Sequence, residues 1–327
     1  MKNLGIVEGF YGESLDFDDR NSIIKLLSEN NLNYYLYAPK EDPFLRNHLD
    51  LEPIEEWQNS FKDFVDLSNK SNVTIGVGLA PINKKHMTDL AKKIELFMNL
   101  GVSSFSLLFD DIEQEFSLSE QLELFKQTKT KFDDIHLNFC PTVYCSELIT
   151  KDQNHEDYFN DFCSIYPKDE KFFWTGEKVI SRNINKDCEK VLESFDSSNI
   201  CIWDNYFTVD SCPTRMNLTF CNHIDRSFFE NKNNYLVNLT GKPRTDLILI
   251  DIFGAFISNS GIEFKDILRK HGVDNNLIDM IKIFDPEQKI RLSEEEIKKL
   301  HDITFSWFHP LKNEWYPYLN SLRKGEQ

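Results

Sequence analysis

The segment Leu107-Leu108-Phe109-Asp110-Asp111-Ile112 ends an apolar run in two adjacent carboxylates. Two like charges at a partly desolvated strand end resist simultaneous ionisation. A carboxyl group that keeps its proton at neutral pH is what a general acid requires. The same pair would also suit a helix cap or a magnesium site, and the local residues leave cap, metal and acid catalysis open. Geometry constrains the third of these. Sequential neighbours do not straddle a glycosidic bond as the usual acid and nucleophile do, but both can serve one side of a sugar. If a 2-acetamido oxygen of the substrate were the nucleophile, one Asp could hold the acetamido N–H while the other protonates the leaving oxygen.

Such residues need a scaffold that brings strand ends together. Eight short apolar or β-branched runs recur along the chain: Leu4–Val7, Tyr34–Tyr37, Val73–Val77, Phe105–Phe109, Ile135–Phe139, Phe172–Trp174, Ile200–Trp203 and Tyr235–Val237. They are spaced by roughly 30 to 40 residues, the length of a strand, a helix and two loops. Asp19–Asn30, Ile54–Asn69, Met87–Leu100 and Ser119–Lys129 carry apolar residues at three- and four-residue spacing, as amphipathic helices do. Eight strands, each followed by a helix, predict an α/β fold of the (β/α)8 TIM-barrel type. Polar or small residues follow almost every run: Glu8-Gly9, Lys40, Asp110-Asp111, Thr142 and Tyr144, Lys178, Asp204-Asn205 and Asn238. A barrel builds its active site at these C-terminal strand ends.

After about residue 258 only helical patterns remain, so residues 1–258 are expected to form the barrel and 259–327 a small helical appendage packed on it. Ser293 and Glu296 have capping-box spacing, and Leu292 can staple against Ile297. The tail aromatics Trp307, Phe308, Trp315, Tyr316 and Tyr318 are expected to be core residues.

In order along the chain, Gly5-Ile6-Val7-Glu8-Gly9-Phe10-Tyr11-Gly12, Tyr35-Leu36-Tyr37-Ala38-Pro39-Lys40-Glu41-Asp42 and Leu108-Phe109-Asp110-Asp111-Ile112 resemble successive signatures of glycoside hydrolase family 84, which comprises O-GlcNAcases and bacterial β-N-acetylglucosaminidases. Cys140-Pro141-Thr142-Val143-Tyr144-Cys145, Trp174-Thr175-Gly176-Glu177-Lys178-Val179 and Ile202-Trp203-Asp204-Asn205 through Asp210 continue the likeness. The resemblance implies a (β/α)8 enzyme that removes β-linked N-acetylglucosamine (GlcNAc) with retention, through an oxazoline, without metal or organic cofactor. It implies that Asp110 orients and polarises the acetamido group and that Asp111 is general acid and then general base. Tyr144 would bond near the forming oxazoline, and Asn205 would help to orient the pair. Gly9, Lys40, Asp210 and Asn238 would bind sugar hydroxyls, and Trp203 would wall the acetamido pocket. Taken singly, Lys40 reads as a solvated lysine, Asp210 as a turn residue, and Trp203 and Tyr144 as core aromatics. Their joint occurrence at successive strand ends sets them apart. Departures from the family pattern fall at Glu13-Ser14-Leu15, Pro43-Phe44-Leu45-Arg46 and Val143, on loops that would shape the aglycone side.

Composition is consistent with this. The 327 residues carry 37 Lys and Arg against 54 Asp and Glu, a formal net charge of −17. So acidic a chain is ill suited to nucleic acid, whose binding depends on cationic side chains, and to acidic glycans. No stretch approaches the ~20 apolar residues of a membrane-spanning helix, and Glu8 interrupts the place where a signal peptide would be apolar. Seven cysteines without CxxC spacing read as reduced thiols, so a cytoplasmic protein is expected. The expected partner is a GlcNAc-bearing glycoside or an O-GlcNAc-modified protein. Two other function classes compete: a catalytically silent GlcNAc-binding module using the same pocket, and a metal-dependent phosphohydrolase using Asp110-Asp111.

Overall fold

A computed structural model of the protein describes all residues except Met1, 82–86, 112–116, Asn233, Pro286, Lys289 and 326–327, and excludes the side chain of Met87. Ile112 of the acidic motif thus lies outside the described residues. The strands are β1 (Asn3–Glu8), β2 (Tyr34–Tyr37), β3 (Thr74–Leu79), β4 (Ser104–Leu108), β5 (His136–Cys140), β6 (Phe172–Trp174), β7 (Ile200–Asp204) and β8 (Asn234–Asn238). Each overlaps one expected run. They form a closed barrel in sequence order, sealed by parallel pairing of β1 with β8 through Asn3–Val7 and Asn234–Asn238.

Helices α1 (Phe17–Glu29), α2 (Glu55–Lys70), α3 (Met87–Asn99) and α4 (Leu118–Lys131) match the periodic stretches to within two residues. Asp16 starts α1 by accepting from the Asp19 N–H at 2.7 Å. Ser117 and Glu120 start α4 with a reciprocal capping box, satisfying N–H groups that a helix start leaves open. After β5 come α5 (Ser146–Ile149) and α6 (Gln153–Ile165), and after β7 and β8 come α7 (Arg226–Glu230) and α8 (Pro243–Ser258).

The expected one-helix-per-strand pattern fails between β6 and β7. The described residues there form only 3₁₀ segments, Lys186–Leu192 and Ser197–Asn199. Asn and Asp side chains in this stretch bond to nearby backbone, Asn185 to the Asp187 N–H and Asp196 to the Ser198 N–H, and such bonds compete with helix. A parallel bridge between Ile184 and Ile224 also pins the loop.

Alternation along the strands divides the apolar residues into two cores. Ile6, Tyr35, Tyr37, Phe105, Leu107, Phe139, Ile202 and Val237 face outward into the layer under the helices. Val7, Leu36, Ala38, Leu108, Cys140, Phe173, Trp203 and Leu236 fill the upper lumen.

Four further helices follow, α9 (Phe264–Lys270), α10 (Asn275–Asp279), α11 (Glu294–Ser306) and α12 (Pro310–Lys324). Ser293 and Glu296 form the expected capping box at α11. Of the tail aromatics, Trp307, Trp315 and Tyr318 are buried, but Phe308 and Tyr316 are exposed. Trp315, Tyr318 and Leu322 lie three or four residues apart on the buried face of α12. Tyr316 is on the opposite face, and Phe308 sits in the turn before the helix. Glu314 of α12 accepts from the Arg244 and Thr245 N–H groups at 3.0 Å each. It thereby caps α8, whose own N-cap Lys242 supplies no side-chain bond.

A second tie has a measurable pH signature. Asp251 of α8 accepts from His271 at 2.6 Å and Asn30 at 2.9 Å, and pairs with Lys270 at 2.7 Å. Burial alone would raise its pKa, but the bonds from His271, Lys270 and Asn30 outweigh burial and bring it down to about 2. A carboxyl whose folded pKa is depressed stabilises the fold above its unfolded pKa of ~3.9, and that stability disappears as pH falls through the folded value. The melting temperature of wild type is therefore expected to exceed that of Asp251→Asn by most at pH 5. The gap should shrink as pH falls from ~4 to ~2; a gap that stays constant over that window would contradict the linkage.

No helix among the described residues is long and apolar enough to cross a membrane, and all seven cysteines are free thiols.

Candidate active site

The inward alternation of the strands continues past their ends and selects the residues that enter the barrel mouth. Val7 leads to Gly9 and Tyr11, Leu36 and Ala38 to Lys40, Leu108 to Asp110, Trp203 to Asn205, and Leu236 to Asn238, each in steps of two. Gly9, Tyr11, Lys40, Asp110, Trp203, Asn205 and Asn238 line one cleft, together with Asp111, Cys140, Tyr144, Phe173, Thr175, Val179, Ile180, Thr208 and Asp210. All nine candidate site residues meet in this cleft.

Strand-end residues of the opposite parity go elsewhere. Glu8 is fully buried and takes two hydrogen bonds from Arg20, at 2.8 and 3.0 Å, and one from Tyr35. Asp204 accepts from Tyr235 at 2.8 Å, the Tyr206 N–H at 2.9 Å and His223 at 2.7 Å. These two carboxylates lie on the outward face of the barrel, where they tie neighbouring elements together, and do not line the cleft. Thr142 pairs with Gln121, and Lys178 is an exposed residue near Glu147.

Lys40 lies between the two aspartates. Its ammonium bonds to Asp110 Oδ2 and is 3.8 Å from Asp111 Oδ2. The adjacent carboxylates therefore share a counter-cation that their sequence neighbourhood does not reveal. Burial alone would lower the Lys40 pKa, but Asp110 and Asp111 outweigh it and the net shift is upward, so the side chain stays charged.

The aspartates differ in exposure. The side chain of Asp110 is 11% exposed and that of Asp111 38%. Asp110 Oδ1 is buried and has no hydrogen-bond partner among the described residues, a condition that costs roughly 1–3 kcal/mol where nothing fills it. Asp111 receives the hydroxyls of Tyr144 at 3.0 Å on Oδ1 and Tyr11 at 3.1 Å on Oδ2. Burial first, and then the Asp111 charge, push both phenol pKa values upward, so both tyrosines remain donors at neutral pH.

The other wall is a chain of amides and rings. Asn238 Oδ1 accepts from the Gly9 N–H at 3.1 Å, and its amide donates to Asn205 Oδ1 at 2.9 Å. Asn205 Oδ1 also accepts from Trp203 Nε1 at 2.9 Å, while its own amide donates to the Val179 carbonyl. Asn205 thus orients Trp203 and Asn238, and its bonds do not go to the aspartate pair. Trp203 packs edge-on against Phe173 with ring centroids 5.4 Å apart. Asp210 Oδ1 accepts from the Tyr11 N–H at 3.1 Å, linking the β7 loop to the β1 loop.

Gly9 is required by this wall. A Cβ there would lie 2.6 Å from Trp203 Cζ2 and 2.8 Å from Val7 Cγ1. Both groups are buried, so the indole would have to leave its place. Gly9→Ala is expected to cut kcat/KM by about tenfold or more, since ångström-scale misplacement in a site has effects of that order. A variant that melts like wild type and keeps wild-type kcat/KM would refute the requirement.

Among residues touching the aspartates, Tyr11 and Arg46 were not candidates from sequence. Tyr11 carries the alternation signal, two residues beyond Gly9. Arg46 carries no local signal, because its contact with Asp111 spans 65 residues.

Comparison with known proteins bears on this site. A family model described as NAGidase, beta-N-acetylglucosaminidase, matches residues 4–271. The chain belongs to the beta-N-acetylglucosaminidase family. This is the family of glycoside hydrolases, family 84, that the strand-end motifs resemble. Two relatives of the chain, both called "Protein O-GlcNAcase", come from Mus musculus and Rattus norvegicus. Each is 26% identical over 234 residues, which cover 65% of this chain and 25% of the relative. The chain therefore spans about a quarter of the length of these beta-N-acetylglucosaminidase relatives. A solved structure described as "Structure of CpGH84B" superposes with a TM-score of 0.74 at 24% identity, covering 98% of this chain and 60% of that one. That likeness speaks to the barrel fold.

Proposed function

We propose that the protein is a retaining β-N-acetylglucosaminidase that hydrolyses terminal β-linked GlcNAc by substrate-assisted catalysis through an oxazoline. The observation that carries this reading is Asp110 Oδ1, buried and without a partner among the described residues, beside a more exposed Asp111 held by two tyrosine hydroxyls. Asp110 Oδ1 is poised to accept the acetamido N–H, which fills its missing bond and draws the acetamido oxygen towards the anomeric carbon. Lys40 pairs with the other oxygen of Asp110 and donates to a sugar hydroxyl. Asp111, nearer solvent, protonates the leaving oxygen. It then takes a proton from the water that opens the oxazoline. Tyr144 bonds near the forming ring. Trp203, oriented by Asn205, walls the acetamido methyl, and the Gly9 carbonyl, Asp210 and Asn238 accept or donate to ring hydroxyls.

Among the described residues, Asp210 is the one further carboxylate lining the cleft, and it is engaged by Tyr11 N–H. This supports a nucleophile that comes from the substrate. The aglycone is proposed to be the Ser or Thr of an O-GlcNAc-modified protein or a small glycoside, and the free thiols support a reducing compartment such as the cytoplasm. Residues 1–258 are taken as the catalytic barrel and 259–327 as its helical extension.

The test is turnover of an aryl β-GlcNAc glycoside followed by NMR, beside an O-GlcNAc peptide and chitobiose. Release of β-GlcNAc as first product is expected. Binding of GlcNAc without turnover would replace the enzyme by a sugar-binding module, and first release of the α-anomer would overturn the retaining mechanism.

A further inference from the structure

Asp110 reaches the cleft by simple alternation, because Ser104, Ser106 and Leu108 precede it on the inward face of β4. Asp111 has the opposite parity, and an extended backbone would carry its side chain away from the cleft. Its φ of +51° lies instead in the left-handed region, which crowds the Cβ of an L residue. That turn returns the Asp111 carboxylate to the two tyrosines. The aim of the side chain therefore depends on what holds the turn.

Among the described residues, one group bonds to the Asp111 carbonyl: Nη2 of Arg46, at 2.7 Å. The loop that carries Arg46 is itself fixed. The Leu45 carbonyl accepts from the Ala80 N–H at 2.9 Å, and the Asp42 carboxylate accepts from the Phe44 N–H at 2.9 Å and from the Tyr37 hydroxyl. Lys93 of α3 donates to the Leu51 carbonyl farther along. Arg46 is not one of the residues lining the cleft, and its bond is to the backbone of Asp111. A charge-assisted bond from a permanently protonated guanidinium is a strong anchor for a peptide carbonyl.

We propose that Arg46 is a positioning residue, whose bond to the Asp111 carbonyl holds the left-handed turn and so sets where the acid carboxylate meets the leaving oxygen. The proposal rests on the assignment of Asp111 as the general acid.

The test measures Arg46→Ala, Arg46→Gln and Asp111→Asn on aryl β-GlcNAc glycosides with phenols ranging from strongly to weakly acidic. Arg46→Ala is expected to lower kcat by about tenfold or more on the weakly acidic phenols, with the most activated substrate and KM within about twofold of wild type. Arg46→Gln, which keeps a neutral donor, should recover part of the loss, and it gives the same slope measurement if the alanine variant does not fold. A uniform loss across all phenols, or no loss, overturns the role of Arg46. If Asp111→Asn steepens the dependence on leaving group and the Arg46 variants do not, only this proposal falls. If Asp111→Asn does not steepen it, the acid assignment itself falls.

Discussion

Asp111→Asn is expected to slow hydrolysis of GlcNAc glycosides with poor leaving groups by about 10²–10⁴-fold, the usual contribution of a general acid–base group. Activated aryl glycosides should lose far less in the step that forms the oxazoline, because an acidic phenol departs without a proton. The substitution keeps one acceptor for a tyrosine hydroxyl and removes the ionisable proton, so the two substrate classes separate proton transfer from packing. The measurement is kcat/KM for a series of leaving groups in wild type and variant. Equal loss across the series would remove Asp111 from the acid role. The pairing of Asp111 with two protonated phenols and its greater exposure relative to Asp110 support its proposed place facing the leaving group.

Asp110→Asn is expected to lower kcat/KM by about 10²–10³-fold on all substrates, as the loss of one preorganised electrostatic contact at a reacting centre does. Its effect should not depend on the leaving group, because the role proposed for Asp110 is on the acetamido side. A thiazoline mimic of the oxazoline should bind wild type tightly, as a likeness of the intermediate, and bind Asp110→Asn much more weakly. Titration calorimetry with the mimic measures this directly, and unchanged affinity would refute the role given to Asp110. The physical basis is the pairing of Lys40 with one oxygen of Asp110 while the other is buried and has no partner among the described residues.

The two aspartates thus make opposite predictions about leaving groups although they are adjacent in the chain. That difference comes from alternation and one turn. Period-two alternation is written in the sequence: Val7 to Gly9, Leu36 to Lys40, Leu108 to Asp110, Trp203 to Asn205 and Leu236 to Asn238 can be counted without coordinates. The same count assigns Glu8 and Asp204 to the outward face, where Arg20 and His223 meet them. Strand number, helix periodicity and the capping box at Ser293 were legible for the same reason, since all are set by contacts within a few residues. The missing helix between β6 and β7 was less so, because a long-range bridge at Ile184 competes with local preference.

By itself, the sequence determined a barrel of eight parallel strands and the residues that alternation carries to its mouth, because side-chain direction in a strand follows position. Tertiary structure decided the electrostatics of the pair and the environment of each carboxylate. Lys40 comes from β2 to lie between two aspartates after β4, Tyr11 and Tyr144 arrive from the β1 and β5 ends, and Arg46 grips the Asp111 carbonyl across 65 residues. Those contacts depend on barrel closure, which brings together groups that no local spacing relates.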